Sequence, residues 1–518
     1  LLASLISLSA ILAYLQTLKS GFIWDDAQLI LHPLTMGNNP YAFFFGGGAY
    51  YRPFLHLSMA LDFSLHHLNP MGYHITNIAL HAITSLLVFL VAFAILKPKK
   101  SSPDKTVSIQ NGKNHRTTAS FISGLIFAIH PIHTESVAWI SGRTDILATL
   151  CFLLAFLTYV IYEQEGKPMS LFLSGIFFLF SLFSKENAVA FVIVALAYSL
   201  FSGMPKKKIV ASLAVFAAVF LLYLSLRQAE VLRMMLTKPG SKNAFFSSGI
   251  TYKNFLPILC GTLGYYFEKL VLPFNLNLLP EIPKQSIYLL ISLLPFLFGA
   301  LLALSGRKIE AFLTAWVVIT LLPSLIILFS QIAAPLGERY LYLPSVGYAI
   351  LFGLLITKVQ SKKVFFACLF AIFTMFSVSS YERLKDWRND ETLWKNTVSQ
   401  NPQSIIALTN YAKTLLEKGE LEQGKNELLI ALQQKKVSYE QASTIYNLLG
   451  TVEMRNNRYK IAESYFQDAF KSNPQNAVTF NNLGVLYLRM AETVDTAGST
   501  KVLSDAIKNL QEALRISP

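Results

Sequence analysis

The chain has 518 residues, of which 53% are hydrophobic, 13% aromatic and 14% charged, with a formal net charge of +14 at pH 7. A soluble domain carries about a quarter charged residues, so these figures exclude a soluble enzyme. The excess charge lies in the apolar part: from Tyr381 onward 17 Lys and Arg face 16 Asp and Glu, leaving 27 against 14 before it. Such an excess follows from loop charge bias across a bilayer and does not point to nucleic acid.

Apolar runs long enough to cross about 30 Å of hydrocarbon fall near residues 1–18, 72–96, 118–132, 145–162, 169–184, 187–203, 208–226, 286–304, 310–329, 341–357 and 364–380. The predicted fold class is therefore all-α: a polytopic helix bundle of about eleven spans over 1–380, a connecting helix over 381–404, and an extramembrane α-solenoid over 405–518. Loops holding Lys97, Lys99, Lys100, Lys105, Lys113 and Arg116, then Lys206, Lys207 and Lys208, then Arg307 and Lys308, then Lys358, Lys362 and Lys363 alternate with loops almost free of Lys and Arg. The positive-inside rule makes the basic loops cytoplasmic and puts the tail in a lumen or periplasm. Residues 227–285 carry seven Lys and Arg on the opposite side. Long loops obey the rule weakly, and 254–272 reads as interfacial or re-entrant; a full crossing there would make the tail cytoplasmic. Cys151, Cys260 and Cys368 sit inside apolar runs and read as small core residues, with neither a disulfide framework nor a zinc site.

The tail repeats with a period of 34 residues. One unit from Ser443 has Tyr446, Leu449, Gly450, Ala462, Phe466, Ala469 and Pro474; the next, from Ala477, has Phe480, Leu483, Gly484, Ala506, Leu510, Ala513 and Pro518 after an insertion near Asp495–Thr500. A weaker unit from Ile405 has Leu408, Tyr411, Ala412, Leu428 and Ala431. Small residues let paired helices touch, large ones fill the seam and Pro closes the unit, which is the tetratricopeptide pattern. Such arrays offer a concave surface to peptides or proteins; a structural spacer is the plainer alternative.

Ionisable residues beside membrane spans are costly and mark function. They gather on the outer side: Asp25 and Asp26 just after the first span, then Tyr51-Arg52-Pro53 with His56, then His74, Asn77 and His81 on one helix face. Further along come His130-Pro131-Ile132-His133-Thr134-Glu135, Gly142-Arg143-Thr144-Asp145, Ser184-Lys185-Glu186-Asn187 and Gly337-Glu338-Arg339-Tyr340. That arrangement suits a site taking a charged headgroup from the bilayer and a polar substrate from water. Each element also has a plain reading. Asp25 and Asp26 suit a helix cap, Lys185 and Arg339 suit snorkelling to headgroups, and the His74 face suits helix-to-helix hydrogen bonding. The His130, His133 and Glu135 trio lacks the closed spacing of a zinc motif, so a divalent metal is not predicted.

In order and topology these strings resemble the GT-C superfamily of polyprenyl-phosphate-sugar-dependent glycosyltransferases, and among them the transmembrane and tetratricopeptide repeat-containing O-mannosyltransferases. The resemblance is carried by Asp25-Asp26, Tyr51-Arg52-Pro53, Tyr73-His74 with Asn77 and His81, His130 through Glu135 with Gly142-Arg143, Ser184-Lys185-Glu186, and Glu338-Arg339-Tyr340-Leu341-Tyr342-Leu343-Pro344. It implies transfer of a sugar, mannose, from a dolichyl- or undecaprenyl-phosphate donor to a hydroxyl of a protein acceptor held by the repeats. It places the enzyme in an endoplasmic reticulum or bacterial inner membrane, with the active site on the luminal or periplasmic face. A first-loop acid is the base in such families, and Asp25 matches it, with Asp26 orienting the acceptor or Asp25. The leaving phosphate needs preorganised cations, for which Lys185, Arg339, Arg143 and Arg52 are the candidates. Glu135, His133, His74, Glu186 and Glu338 are expected to hold sugar or acceptor. No cofactor beyond the lipid-linked donor is expected.

Two other classes compete. A membrane-tethered scaffold would leave many spans with polar residues at one face without a use. A transporter places its ionisable residues near the midplane, whereas these cluster at one interface.

Overall fold

A computed structural model of the chain describes residues 1–31, 51–97, 108–237, 252–283, 285–325, 336–435, 437–492 and 496–517, with the side chains of 108–113, 229–237, 252–254 and 496–499 outside that description. Several sequence features therefore fall wholly or partly outside it: Lys99, Lys100, Lys105 and Lys113, much of 227–285, the end of the 310–329 run, Asp495 and Pro518. Every regular element among the described residues is helical, and the chain divides into two compact units, Leu1–Asn389 and Asp390–Pro518.

In the first unit the helices longer than five residues are α1 Leu2–Tyr14, α2 Pro53–His66, α3 Pro70–Ile95, α4 Ser108–Ile129, α5 Arg143–Glu165, α6 Pro168–Ser184, α7 Ala190–Ser202, α8 Lys206–Thr237, α9 Tyr252–Val271, α10 Ile287–Leu304, α11 Lys308–Leu325, α12 Pro344–Ile356 and α13 Lys362–Asp386. The described part of each expected apolar run lies mainly on one of them. Seven are long and apolar enough to cross a membrane among the described residues, and three shorter apolar helices join them, so this is a multi-pass membrane protein. The starts and stops follow backbone chemistry. Pro opens α2, α3, α6 and α12, where its missing N–H is not needed. The Asn69 side chain accepts from Met71 N at 3.1 Å to cap α3. Gly166 and Gly203 end α5 and α7 with φ of 74° and 70°, where a Cβ would be strained.

Helix α3 packs against α1, α4 and α5, and α4 against α12. Large rings fill the seam among α5, α7 and α11: Phe156 meets Trp316 at 4.9 Å, Phe152 meets Phe191 at 5.2 Å and Tyr198 meets Phe312 at 5.4 Å. By contrast only 17%, 11% and 11% of the most apolar 18-residue stretch of α8, α10 and α13 is buried. Their exposed Leu, Val and Phe faces meet the acyl chains, where apolar exposure carries no penalty. At the end holding the basic loops, Glu310 binds Arg307 at 3.0 Å and Lys358 at 2.8 Å.

Helix α13 runs past the expected boundary at residue 380, because Ser380, Arg383, Leu384 and Trp387 remain buried in the first unit. The second unit starts with α14 Asp390–Gln400 and continues as α15 Ile405–Glu417, α16 Leu421–Leu432, α17 Tyr439–Arg455, α18 Tyr459–Ser472, α19 Ala477–Ala491 and α20 Thr496–Ile516. Each helix packs on the next. Ser404, Ser438 and Asn476 cap α15, α17 and α19 through their side chains, and Ser438 forms a reciprocal box with Gln441. The small residues sit at the closest approaches: a Cβ on Gly450 would overlap the Phe466 ring, and one on Gly484 would meet Leu510 Cγ at 2.6 Å.

The α4–α12 crossing depends on Gly353, where a Cβ would overlap Ala119 O and Ser123 Oγ. Gly353→Leu is expected to cost about 1–3 kcal/mol by overpacking. A lower thermal midpoint of the detergent-solubilised protein, against an unchanged one for a substitution on the lipid face such as Leu297→Ile, would display it.

Candidate active site

At the end of the bundle opposite Glu310, four loops meet: 20–31 after α1, 130–142 between α4 and α5, 185–189 between α6 and α7, and 336–343 between α11 and α12. Loop 20–31 is hung on Asp26. This wholly buried side chain accepts from Ile23 N at 3.1 Å with Oδ2, and from Ser141 N at 2.9 Å and Ser141 Oγ at 2.7 Å with Oδ1. Trp24, just before the acids, has a φ of 56°. That region is strained for a bulky residue, and Trp24 is held there by stacking on Trp139 at 4.9 Å. Asp25 differs from its neighbour. It makes no capping bond, and its Oδ1 is buried without a hydrogen-bond partner among the described residues. Burial raises its carboxyl above the ordinary value, against opposing help from Ser141, the Arg339 charge and Trp139.

The cations converge on one ring. Arg339 sits 4.9 Å from the Tyr340 ring centre and 5.4 Å from that of Trp139, and Lys185 Nζ lies 4.8 Å from the same Tyr340 centre. Glu135 fixes Arg339 with both oxygens, Oε2 accepting from Arg339 N at 3.0 Å and Oε1 pairing with Nη1. This pair explains Gly337, where a Cβ would approach Arg339 Nη1 to 2.9 Å and Glu135 Oε1 to 3.2 Å. Lys185 binds Asp145 Oδ1 at 2.6 Å. One of its three ammonium protons is thereby used, and among the described residues Arg339 Nη2 reaches only Tyr340 Oη, at 3.5 Å.

Other expected site residues lie elsewhere or face inward. Arg143 is wholly buried and engages all three nitrogens: Nε donates to Asn77 Oδ1 at 2.6 Å, Nη2 to Asp62 Oδ2 at 2.5 Å and Tyr73 O at 3.0 Å, and Nη1 to Ser58 O at 3.3 Å. It ties α5 to α2 and α3. Asn77 Nδ2 donates to Val137 O and Trp139 O, both at 3.2 Å, so the His74 face packs against loop 130–142. His74 is wholly buried beside the backbone of Ser20 and Gly21. His133 is buried among Phe127, Tyr342 and His81, with Nε2 2.8 Å from Ser345 Oγ. Burial holds its imidazole well below the usual value, and that of His130 down to about 3. Glu338 is wholly buried against Arg383 at 3.4 Å, and burial pushes its carboxyl up. Arg52 binds Glu186 at 3.0 Å, with Arg227 also close to that carboxylate. Among the described residues no three His, Cys, Asp or Glu side chains are grouped to hold a metal ion.

Sequence reasoning missed Trp24, Trp139, Ser141, Tyr340 as the shared ring, Asp62 and Arg383. The stacking of Trp24 on Trp139 leaves no periodic trace, and Ser141 is an ordinary loop residue by type. Asp62 and Arg383 were legible, since an acid inside α2 and a base at the foot of an apolar helix each call for a partner.

Burial pushes the Asp26 carboxyl from 3.8 to about 7, its three accepted hydrogen bonds opposing without cancelling. The folded chain thus holds a proton that the unfolded chain releases between those values. The stability this group contributes is present below pH 3.8 and falls as pH rises through about 7. Thermal midpoints at pH 5 and pH 8 should fall more in the parent protein than in Asp26→Asn, which has no proton to release. Parallel declines would refute the linkage.

Residues 112–226 match the family described as dolichyl-phosphate-mannose-protein mannosyltransferase. The chain is 25% identical to protein O-mannosyl-transferase Tmtc1 of Drosophila melanogaster, over 82% of this chain and 60% of that protein. It is 26% identical to protein O-mannosyl-transferase TMTC4 of Homo sapiens, over 79% of this chain and 63% of that protein. Against human TMTC1 identity is 34%, over 39% of this chain and 24% of that protein. The chain spans between about half and two thirds of the length of the long-matching relatives. Both comparisons bear out the resemblance read from the loops: the chain is similar to the GT-C mannosyltransferases, and within them to the transmembrane and tetratricopeptide repeat-containing O-mannosyltransferases.

Proposed function

We propose that this protein is a membrane glycosyltransferase that moves a sugar, mannose, from a polyprenyl-phosphate donor to a hydroxyl of a protein acceptor on the luminal or periplasmic side. The observation that carries the site assignment is that Asp25, whose buried Oδ1 has no hydrogen-bond partner among the described residues, feels the charge of Arg339, a guanidinium held by Glu135. The resemblance of the chain to named mannosyltransferases supports the reaction class.

The acceptor hydroxyl oxygen attacks the anomeric carbon, its proton passes to Asp25, and the bond from that carbon to the phosphate oxygen breaks with its electron pair on phosphate. Transfer to a carboxylate at hydrogen-bond distance is general-base catalysis. Arg339 and Lys185 take the developing phosphate charge through the donors that Glu135 and Asp145 leave available. Asp26 holds the loop in register and does not meet substrate. Glu135 and Asp145 hold the cations, and Arg52 with Glu186 lines the approach. The second unit consists of tetratricopeptide repeats that bind the acceptor.

Asp25→Asn is expected to abolish transfer while the protein still inserts, and Asp26→Asn to lower activity through the loop. Full activity of both variants in a purified transfer assay would remove both acids from the mechanism. Because burial raises the Asp25 carboxyl, kcat/KM should fall towards acid with an apparent pKa above 3.8, the base being lost as it takes up its proton. Lys185→Ala and Arg339→Ala should weaken donor binding more than acceptor binding, and unchanged affinity for a lipid-phosphate analogue would refute their role.

A further inference from the structure

The foot of α13 touches each side of the site. Ser380 Oγ donates to Ile129 O at 3.1 Å at the start of loop 130–142. Trp387, wholly buried, lies 6.5 Å from Trp139, and Arg388 O accepts from Gly21 N at 3.1 Å at the head of the Asp25 loop. Between them Arg383 spans to loop 336–343, donating through Nη2 to Glu338 Oε2 at 3.4 Å and through Nη1 to Asp386 at 2.9 Å. The partner it binds is the residue immediately before Arg339.

Two wholly buried carboxylates, Glu135 and Glu338, feel each other's charge here. One guanidinium cannot neutralise both. Arg339 takes Glu135 and Arg383 takes Glu338, burial favouring the protonated form of Glu338 and the Arg383 charge its ionised form, while Asp386 is partly in solvent and screened. We propose that Arg383 is a positioning residue for donor binding: by holding Glu338 it keeps Arg339 on Glu135, aimed at the phosphate of a polyprenyl-phosphate sugar. Without it, the buried Glu338 carboxyl has lost its partner and turns to Arg339, drawing that guanidinium off Glu135 and away from an anionic ligand. The inference rests on Arg339 being a phosphate ligand, as argued above.

The test is steady-state transfer by the detergent-solubilised full chain with a short-chain polyprenyl-phosphate mannose, varying donor and acceptor separately. Arg383→Gln should raise the donor KM about tenfold, the ratio set by about 1.4 kcal/mol, with kcat and the acceptor KM within about threefold. Arg383→Gln combined with Glu338→Gln removes the competing carboxyl and should bring the donor KM back to within about threefold of the parent. A double variant as poor as the single one would mean a merely structural role and overturn the proposal. Arg339→Gln separates the two readings. If its donor KM is unchanged, the phosphate assignment itself fails. If it rises while that of Arg383→Gln does not, the positioning role fails alone. Should Arg383→Gln not insert, Arg383→Lys keeps the charge and should keep the donor KM within about threefold; a tenfold rise there overturns the proposal.

Discussion

A charge removed from water without a partner costs several kcal/mol, and breaking a buried pair costs about 3–5 kcal/mol. That penalty organises one end of this bundle. Arg143 with Asp62, Lys185 with Asp145, Arg339 with Glu135, Arg383 with Glu338 and Arg52 with Glu186 each join segments separated by 40 to 204 residues. The loops meet because their charges have no cheaper place to go. The apolar helices supply the frame, but the pairs decide which loop lies against which. The outcome is a polar cap in which most cations are already spoken for. Arg339 and Lys185 stand apart because both lie against the ring of Tyr340.

The helical frame was legible because bilayer thickness imposes a run length, and the described part of every run from 1–18 to 364–380 lies mainly on a helix. Its ends were less so. Helix α13 runs on to Asp386, since burial of Arg383 and Trp387 holds the polar turns that hydropathy alone ends at Ser380. In the second unit, small-residue positions such as Gly450 and Gly484 were readable because close helix approach tolerates little else.

The gathering of polar loops at one interface was equally visible, but the tasks within it were not. Composition makes Asp25 and Asp26 equivalent; only the fold shows one carboxylate accepting three hydrogen bonds and the other keeping an oxygen unbonded. Arg143 and Arg339 look alike as loop-edge arginines, yet Arg143 is used at every nitrogen in holding α2 and α3 to α5. Sequence assigns residue types to a surface, while the count of satisfied donors and acceptors separates support from chemistry. The same count finds both Glu135 oxygens engaged by Arg339. It also leaves His74 and His133 inside the packing.

Loop 130–142 carries both Ser141, which holds the Asp25 loop through Asp26, and Glu135, which holds Arg339. The acid and the cation are therefore referenced to two points six residues apart on one short, wholly packed segment rather than to separate membrane helices. Helices tilt when the thickness of the bilayer changes, and a site strung between them would stretch with the lipid around it. Here a tilt would move both anchors together, because Ser141 and Glu135 sit on the same packed segment.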